Sequence, residues 1–207
     1  MSFSAFYLVK AGAAFGIIAL VAAAGRTRHH PFARFGPANQ ATTVRALLVS
    51  LTLALIGERS STGLAMSAAL AALLVTVLDG VDGWLARRTA MASDFGARFD
   101  MEVDALLILA LSILTWQHGK AGAWVLASGL LRYAFVAAGW IWAWLRAPLP
   151  SSSRGKVICV LQIAGLALAV SPLVSWPASA AVAGASLAAL AYSFFVDVVW
   201  LWRRSDR

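Results

Sequence analysis

Five of the chain's nine acidic residues stand at positions 79, 82, 100, 102 and 104: Asp79, Asp82, Asp100, Glu102 and Asp104. Four of the five keep the three- or four-residue spacing that puts side chains on one helix face. On a helix turning about 100° per residue, Asp79, Asp82, Gly83 and Ala86 share an arc of about 100°. Gly96, Asp100 and Asp104 lie within about 80° of one another on the next helix. Two helices joined by a short loop run antiparallel, so both stripes reach the same end of the pair. Carboxylates gathered there repel one another and lose solvation, and hard divalent cations ligated through oxygen relieve both costs. Gly83, Ala86 and Gly96 leave room for a bulky group against the helices, while Arg87 offers a forked donor to phosphate. Two metals, an arginine and a cleft of small residues suit the breaking of a diphosphate bond.

The elements that must carry this site are apolar. The 207 residues are 61% hydrophobic and only 13% charged, where a soluble domain is about half apolar and about a quarter charged. The composition therefore predicts an all-α fold, a polytopic bundle of membrane-spanning helices. Spans are expected at 3–25, 41–57, 62–87, 96–117, 121–145, up to 171, and from Pro177 to about Trp202. Ser61 or Thr62 is suited to cap the third span, and Ser93 or Asp94 the fourth. Between the first two spans lies Arg26-Thr27-Arg28-His29-His30-Pro31-Phe32-Ala33-Arg34-Phe35, a mix of basic and aromatic residues suited to the lipid headgroup region.

A net charge of +8 raises nucleic acid as a partner, but the positions of the basic residues exclude it. One side of the predicted bundle collects Arg26, Arg28, Arg34, Arg45, Arg87, Arg88, Arg98, Arg146, Arg154, Lys156, Arg203, Arg204 and Arg207. The other has Arg59 and Lys120, with Lys10 near the N-terminal end, either snorkelling or facing the bundle. This asymmetry places the acidic cluster on the cytoplasmic side, with the N-terminus outside and the C-terminus inside. The single cysteine, Cys159, lies in an apolar run and offers no disulfide or thiolate-metal framework.

The stretch from 79 to 104 resembles the signature of the CDP-alcohol phosphotransferases. That signature reads Asp, two residues, Asp-Gly, two residues, Ala-Arg, eight residues, Gly, three residues, Asp, three residues, Asp. Asp79, Asp82, Gly83, Ala86, Arg87, Gly96, Asp100 and Asp104 fill all eight fixed positions. Pro37 to Arg45, with Asn39, Thr42 and Arg45, also looks like the family's lead-in to its first core helix. The resemblance implies a six-helix membrane core with a cytosol-facing polar cavity, preceded here by one additional N-terminal span. Residues 1–36 would form that span and a basic interfacial segment, and 37–207 the transferase domain.

By the same resemblance, Asp79, Asp82, Asp100 and Asp104 would hold two Mg²⁺ or Mn²⁺ ions. Asp104 would also be the base that takes the acceptor's proton. Gly83, Ala86, Arg87 and Gly96, with Ser93, Asn39 and Thr42, would bind the CDP portion. The implied reaction is transfer of a phosphatidyl group from CDP-diacylglycerol to a small polar alcohol with release of CMP, in a homodimer within the bacterial inner membrane. The alternative is a CDP-linked small alcohol as donor to a diacylglycerol-type acceptor. Many phosphatidylglycerophosphate-synthase-like members carry proline after the third Asp and lysine after the fourth. Met101 and Ala105 stand there here, which weighs against that acceptor.

Outside the signature, Arg132 is costly within a span and must face the bundle or the cavity, as a structural partner or as an acceptor contact. Arg154 and Lys156 either bind a phosphate or mark a positive cytoplasmic loop. Asp197 is expected to be paired structurally, and Glu102 to be a rim charge. Two remoter readings remain: an aspartate-rich membrane prenyltransferase, which lacks this Gly-Ala-Arg-Gly framework, and a cation transporter using the same acids.

Overall fold

In a computed structural model, which describes residues 3–29, 36–89, 93–149 and 152–205, every long element is a helix. The helices are α1 (Tyr7–His29), α2 (Pro37–Ala54), α3 (Thr62–Thr89), α4 (Asp94–Gln117), α5 (Ala127–Ile141), α6 (Ser153–Val170) and α7 (Ala178–Ser205). Their starts follow local chemistry. Gly36 takes a left-handed φ of 79° and turns the chain into α2, whose first turn opens with Pro37, a residue with no N–H to leave unpaired. Ser61 Oγ accepts from Leu64 N at 3.2 Å at the head of α3. Ser93 Oγ accepts from Gly96 N at 3.1 Å at the head of α4, so Ser93 rather than Asp94 is the cap. Ser152 plays the same part for α6.

Five helices among the described residues are long and apolar enough to cross a membrane: α1, α3, the Ala123–Ile141 stretch, α6 and α7. They fit an integral membrane protein. The other two expected spans, α2 and α4, fall short of that criterion because their polar residues leave no apolar window long enough: Asn39, Thr42 and Arg45 on α2, and five charges in the first eleven residues of α4. The fifth predicted span is also divided. It runs as a 3-10 turn at Ala123–Leu126, then α5, then a second 3-10 turn at Ala143–Arg146.

Helix α4 packs against α1, α2, α3, α5 and α6, and this central position explains its buried apolar stripe of Val103, Leu107, Leu111 and Leu114. Each of the four is at most 1% exposed. Close approach of α5 is possible because Gly129 has no side chain; a Cβ there would stand 2.6 Å from Leu109 Cα. Helices α6 and α7 pack against each other, and α6 closes the bundle against α3 and α4.

The ends remote from the acidic cluster are tied by polar contacts. Gln117 accepts from Gly57 N at 2.8 Å and donates to Glu58 O at 2.9 Å, joining the α2–α3 turn to the end of α4. Lys10 faces the bundle. Its Nζ donates to Glu58 Oε1 at 2.6 Å and to Ile56 O at 3.0 Å, while Ser4 donates to Glu58 through both N and Oγ. Lys120 is likewise engaged, donating to Val174 O at 2.5 Å. The added N-terminal helix is thus fastened to the core by a buried carboxylate.

Candidate active site

Three helices build the site. Helix α3 brings Asp79 and Asp82 at its last turns, α4 brings Asp100 and Asp104 at its first turns, and α2 crosses between them with Asn39, Thr42 and Arg45. The three α2 residues repeat every third position, so one face of the helix addresses the acids. All three are buried, and Arg45 is 0% exposed.

Arg45 stands at the centre of the four carboxylates. Its Nη1 lies 2.9 Å from Asp79 Oδ1 and 2.6 Å from Asp82 Oδ2, and pairs with Asp100 Oδ1; its Nη2 pairs with Asp104 Oδ1. Thr42 Oγ1 donates to the same Asp82 Oδ2 at 3.1 Å. Asp82 is thereby held at the floor of the site, while the side chains of Asp79 and Asp100 are 31% and 38% exposed and open toward solvent. The guanidinium and the carboxylates depend on one another, since removing one partner of a buried pair leaves an uncompensated charge and costs about 3–5 kcal/mol.

The four aspartates singled out by spacing, Asp79, Asp82, Asp100 and Asp104, therefore converge. Oxygens from Asp79, Asp82 and Asp100 lie within 4.8 Å of one another, a hard-oxygen donor set able to hold a divalent metal ion. Asp104 stands beside this triad and is joined to it through Arg45. Gly96 meets a protein group: an added Cβ would lie 2.8 Å from Asn39 Oδ1 and 3.4 Å from Ser93 Oγ. The glycine thus admits Asn39 to the edge of the cluster. Gly83 is half-buried on α3. Ala86 and Arg87 continue α3, and their side chains lie outside the described residues.

Arg132 and Arg154 are engaged elsewhere. Arg132 pairs with Glu102 and also contacts Met101 Sδ at 2.8 Å. Arg154 pairs with Asp197 across the α6–α7 contact, as expected for that acid. Lys156 is exposed on the first turns of α6.

Two contributors escape a reading of the acids alone. Arg45 enters the sequence reading as a cytoplasmic-side charge and as the end of the Pro37–Arg45 lead-in, with nothing there to link it to the acids. Cys159 of α6 points its Sγ at Asp104 Oδ2, 3.7 Å away, and so faces the site rather than lipid.

The structure thus gathers four carboxylates from α3 and α4 and sets a polar face of α2 against them. The sequence model of the CDP-alcohol phosphatidyltransferase family matches residues 36–198, and the chain belongs to that family. It is accordingly an enzyme, a transferase of substituted phosphate groups. Comparison with curated proteins and with solved structures found no match. The matched segment begins just before α2 and leaves α1 outside.

Proposed function

We propose that the enzyme transfers a phosphatidyl group from CDP-diacylglycerol to a small polar alcohol and releases CMP. The observation that carries this reading is the convergence of Asp79, Asp82, Asp100 and Asp104 on one volume beside Asn39 and Thr42. The donor set is all carboxylate oxygen, which suits Mg²⁺ or Mn²⁺ over softer metals. Asp79, Asp82 and Asp100 would hold one ion, and Asp104 would complete a second site. Bound divalent ions supply charge stabilisation to a diphosphate and to the departing nucleotide.

The chain's own residues do the rest. Asp104, with one oxygen toward Arg45 and the other toward Cys159, would accept the proton of the attacking hydroxyl. Gly83, Ala86, Arg87 and Gly96, with Ser93, Asn39 and Thr42, would frame the CDP portion. Lys156, exposed at the start of α6, would meet a phosphate of donor or acceptor; Arg154 would join it, and Arg132 would contact the acceptor, only by exchanging their ion pairs with Asp197 and Glu102. A groove of about 620 Å³ between α1, α4 and Tyr133 accords with a lipid substrate. Its walls are Ile17, Val21, Phe95 and Phe99, with Arg98 and Glu102 adding charge. The distribution of basic residues favours a cytoplasmic site with the N-terminus outside, and family habit favours a homodimer. Residues 37–207 would form the transferase domain.

The test is release of CMP by the purified protein from radiolabelled CDP-diacylglycerol or CDP-choline, with Mg²⁺ or Mn²⁺ and a panel of alcohols. Metal-dependent release from CDP-diacylglycerol is expected. Release from CDP-choline alone would reverse the donor assignment, and release from neither would overturn the reading.

A further inference from the structure

Arg45 occupies a place that a metal-loaded site has no room to leave it. Its Nη1 lies within 2.9 Å of Asp79 Oδ1 and 2.6 Å of Asp82 Oδ2 and pairs with Asp100 Oδ1, so one nitrogen is shared by the three acids that form the donor set. A Mg²⁺ ion bound by those oxygens would sit about 2.1 Å from each. An ion at that point and Nη1 would overlap, and two cations in contact also repel. Four carboxylates against one guanidinium leave a formal charge of −3, so the cluster needs a cation among its acids, Arg45 or a metal ion.

We propose that Arg45 is a resident counter-ion, holding Asp79, Asp82, Asp100 and Asp104 together before metal binds and giving up its Nη1 position when metal arrives. The inference rests on the metal reading given above. A second observation supports a guanidinium built to move rather than locked by a full set of bonds. Among the described residues Arg45 Nε is buried without a hydrogen-bond partner, and the side chain is fastened there through the carboxylates. Once those turn to metal, the fork loses that hold, and its two terminal nitrogens become donors facing the same volume a diphosphate would enter. Arg45 acts through the ligands and is a positioning residue. It keeps the acids in register without metal and sets how tightly metal must bind to enter.

The experiment measures Mn²⁺ binding to the full chain in detergent, from the paramagnetic resonance signal of free Mn²⁺, for the wild type, Arg45→Gln and Arg45→Lys. Melting temperatures are taken with chelator and at saturating Mn²⁺. Arg45→Gln is expected to bind Mn²⁺ about tenfold more tightly, because no cation has to be displaced, a change of about 1.4 kcal/mol. Its melting temperature should fall in chelator and recover with Mn²⁺, and Arg45→Lys should lie between. Unchanged or weaker Mn²⁺ binding by Arg45→Gln would overturn the proposal. So would a wild-type structure with Mn²⁺ among Asp79, Asp82 and Asp100 and Arg45 Nη1 still about 3 Å from all three, a result that does not depend on any variant folding. A wild type that binds no Mn²⁺ would overturn the metal reading and this inference together.

Discussion

Asn39 of α2 fits against Gly96 of α4 so closely that a methyl group on the glycine would stand 2.8 Å from the amide oxygen. Helix interiors favour alanine over glycine by about 1 kcal/mol. Gly96→Ala should therefore leave the melting temperature nearly unchanged, because Asn39 can swing aside at its flexible end. Turnover should still fall, since the displaced amide no longer borders the acids. Parallel melting curves and CMP-release rates would check this, and a variant with wild-type turnover would remove Asn39's placement from the mechanism.

Asp104 stands outside the donor set of Asp79, Asp82 and Asp100, with one oxygen on Arg45 and the other turned to α6. Asp104→Asn keeps the shape and removes the basic oxygen. The expected result is a loss of about 10²–10⁴-fold in kcat, the usual worth of general-base catalysis. Donor binding, followed by calorimetry with CDP-diacylglycerol, should survive.

The thiol of Cys159 gives a finer test of the same carboxylate. Cys159→Val removes a weak donor at similar volume, and a bond of about 1 kcal/mol corresponds to roughly fivefold in rate. The change should appear in kcat with KM held, and Cys159→Ser should restore it. A change in KM alone would show that the residue shapes the cavity instead.

At the far end of the bundle, the hydrogen bond from Lys10, then those from Ser4, hold the Glu58 carboxyl well below its ordinary value of 4.5, at about 2. A carboxylate with a lowered value in the folded state adds stability that is complete above its unfolded pKa. That stability is lost as pH falls toward the folded one. Melting temperature should decline between about pH 4.5 and 2, and Glu58→Gln should flatten that part of the profile. Transferase activity at neutral pH, in a variant that stays folded, should be unaffected.

The acids were legible because helical spacing is a local property: Asp79 and Asp82, then Asp100 and Asp104, announce one face each within a few residues. Family-level chemistry followed from the same stretch. Pairings over long sequence separations were less visible. Nothing near Lys10 indicates Glu58, 48 residues away, and nothing near Asp104 indicates Cys159, 55 residues away. Arg45 was hardest to place, because an arginine within a helix is equally at home snorkelling toward lipid headgroups, and only the crossing of α2 with α3 and α4 decides between the two. Hydropathy also blurred α2 and α4, where site polarity dilutes the apolar signal that marks the other helices.

The fastening of α1 has a bearing on how this enzyme could be shortened or recombined. The family segment starts at residue 36, which invites treating α1 as a detachable leader. Glu58 lies inside that segment, is 6% exposed, and draws its side-chain hydrogen bonds from Ser4 and Lys10. A chain cut to the shared segment would inherit a sequestered anion stripped of its cation, and swapping in another member's leader would do the same unless it brought its own positive charge to that point. Helix α1 is, in that sense, no longer optional: one glutamate on the core side has made it hereditary.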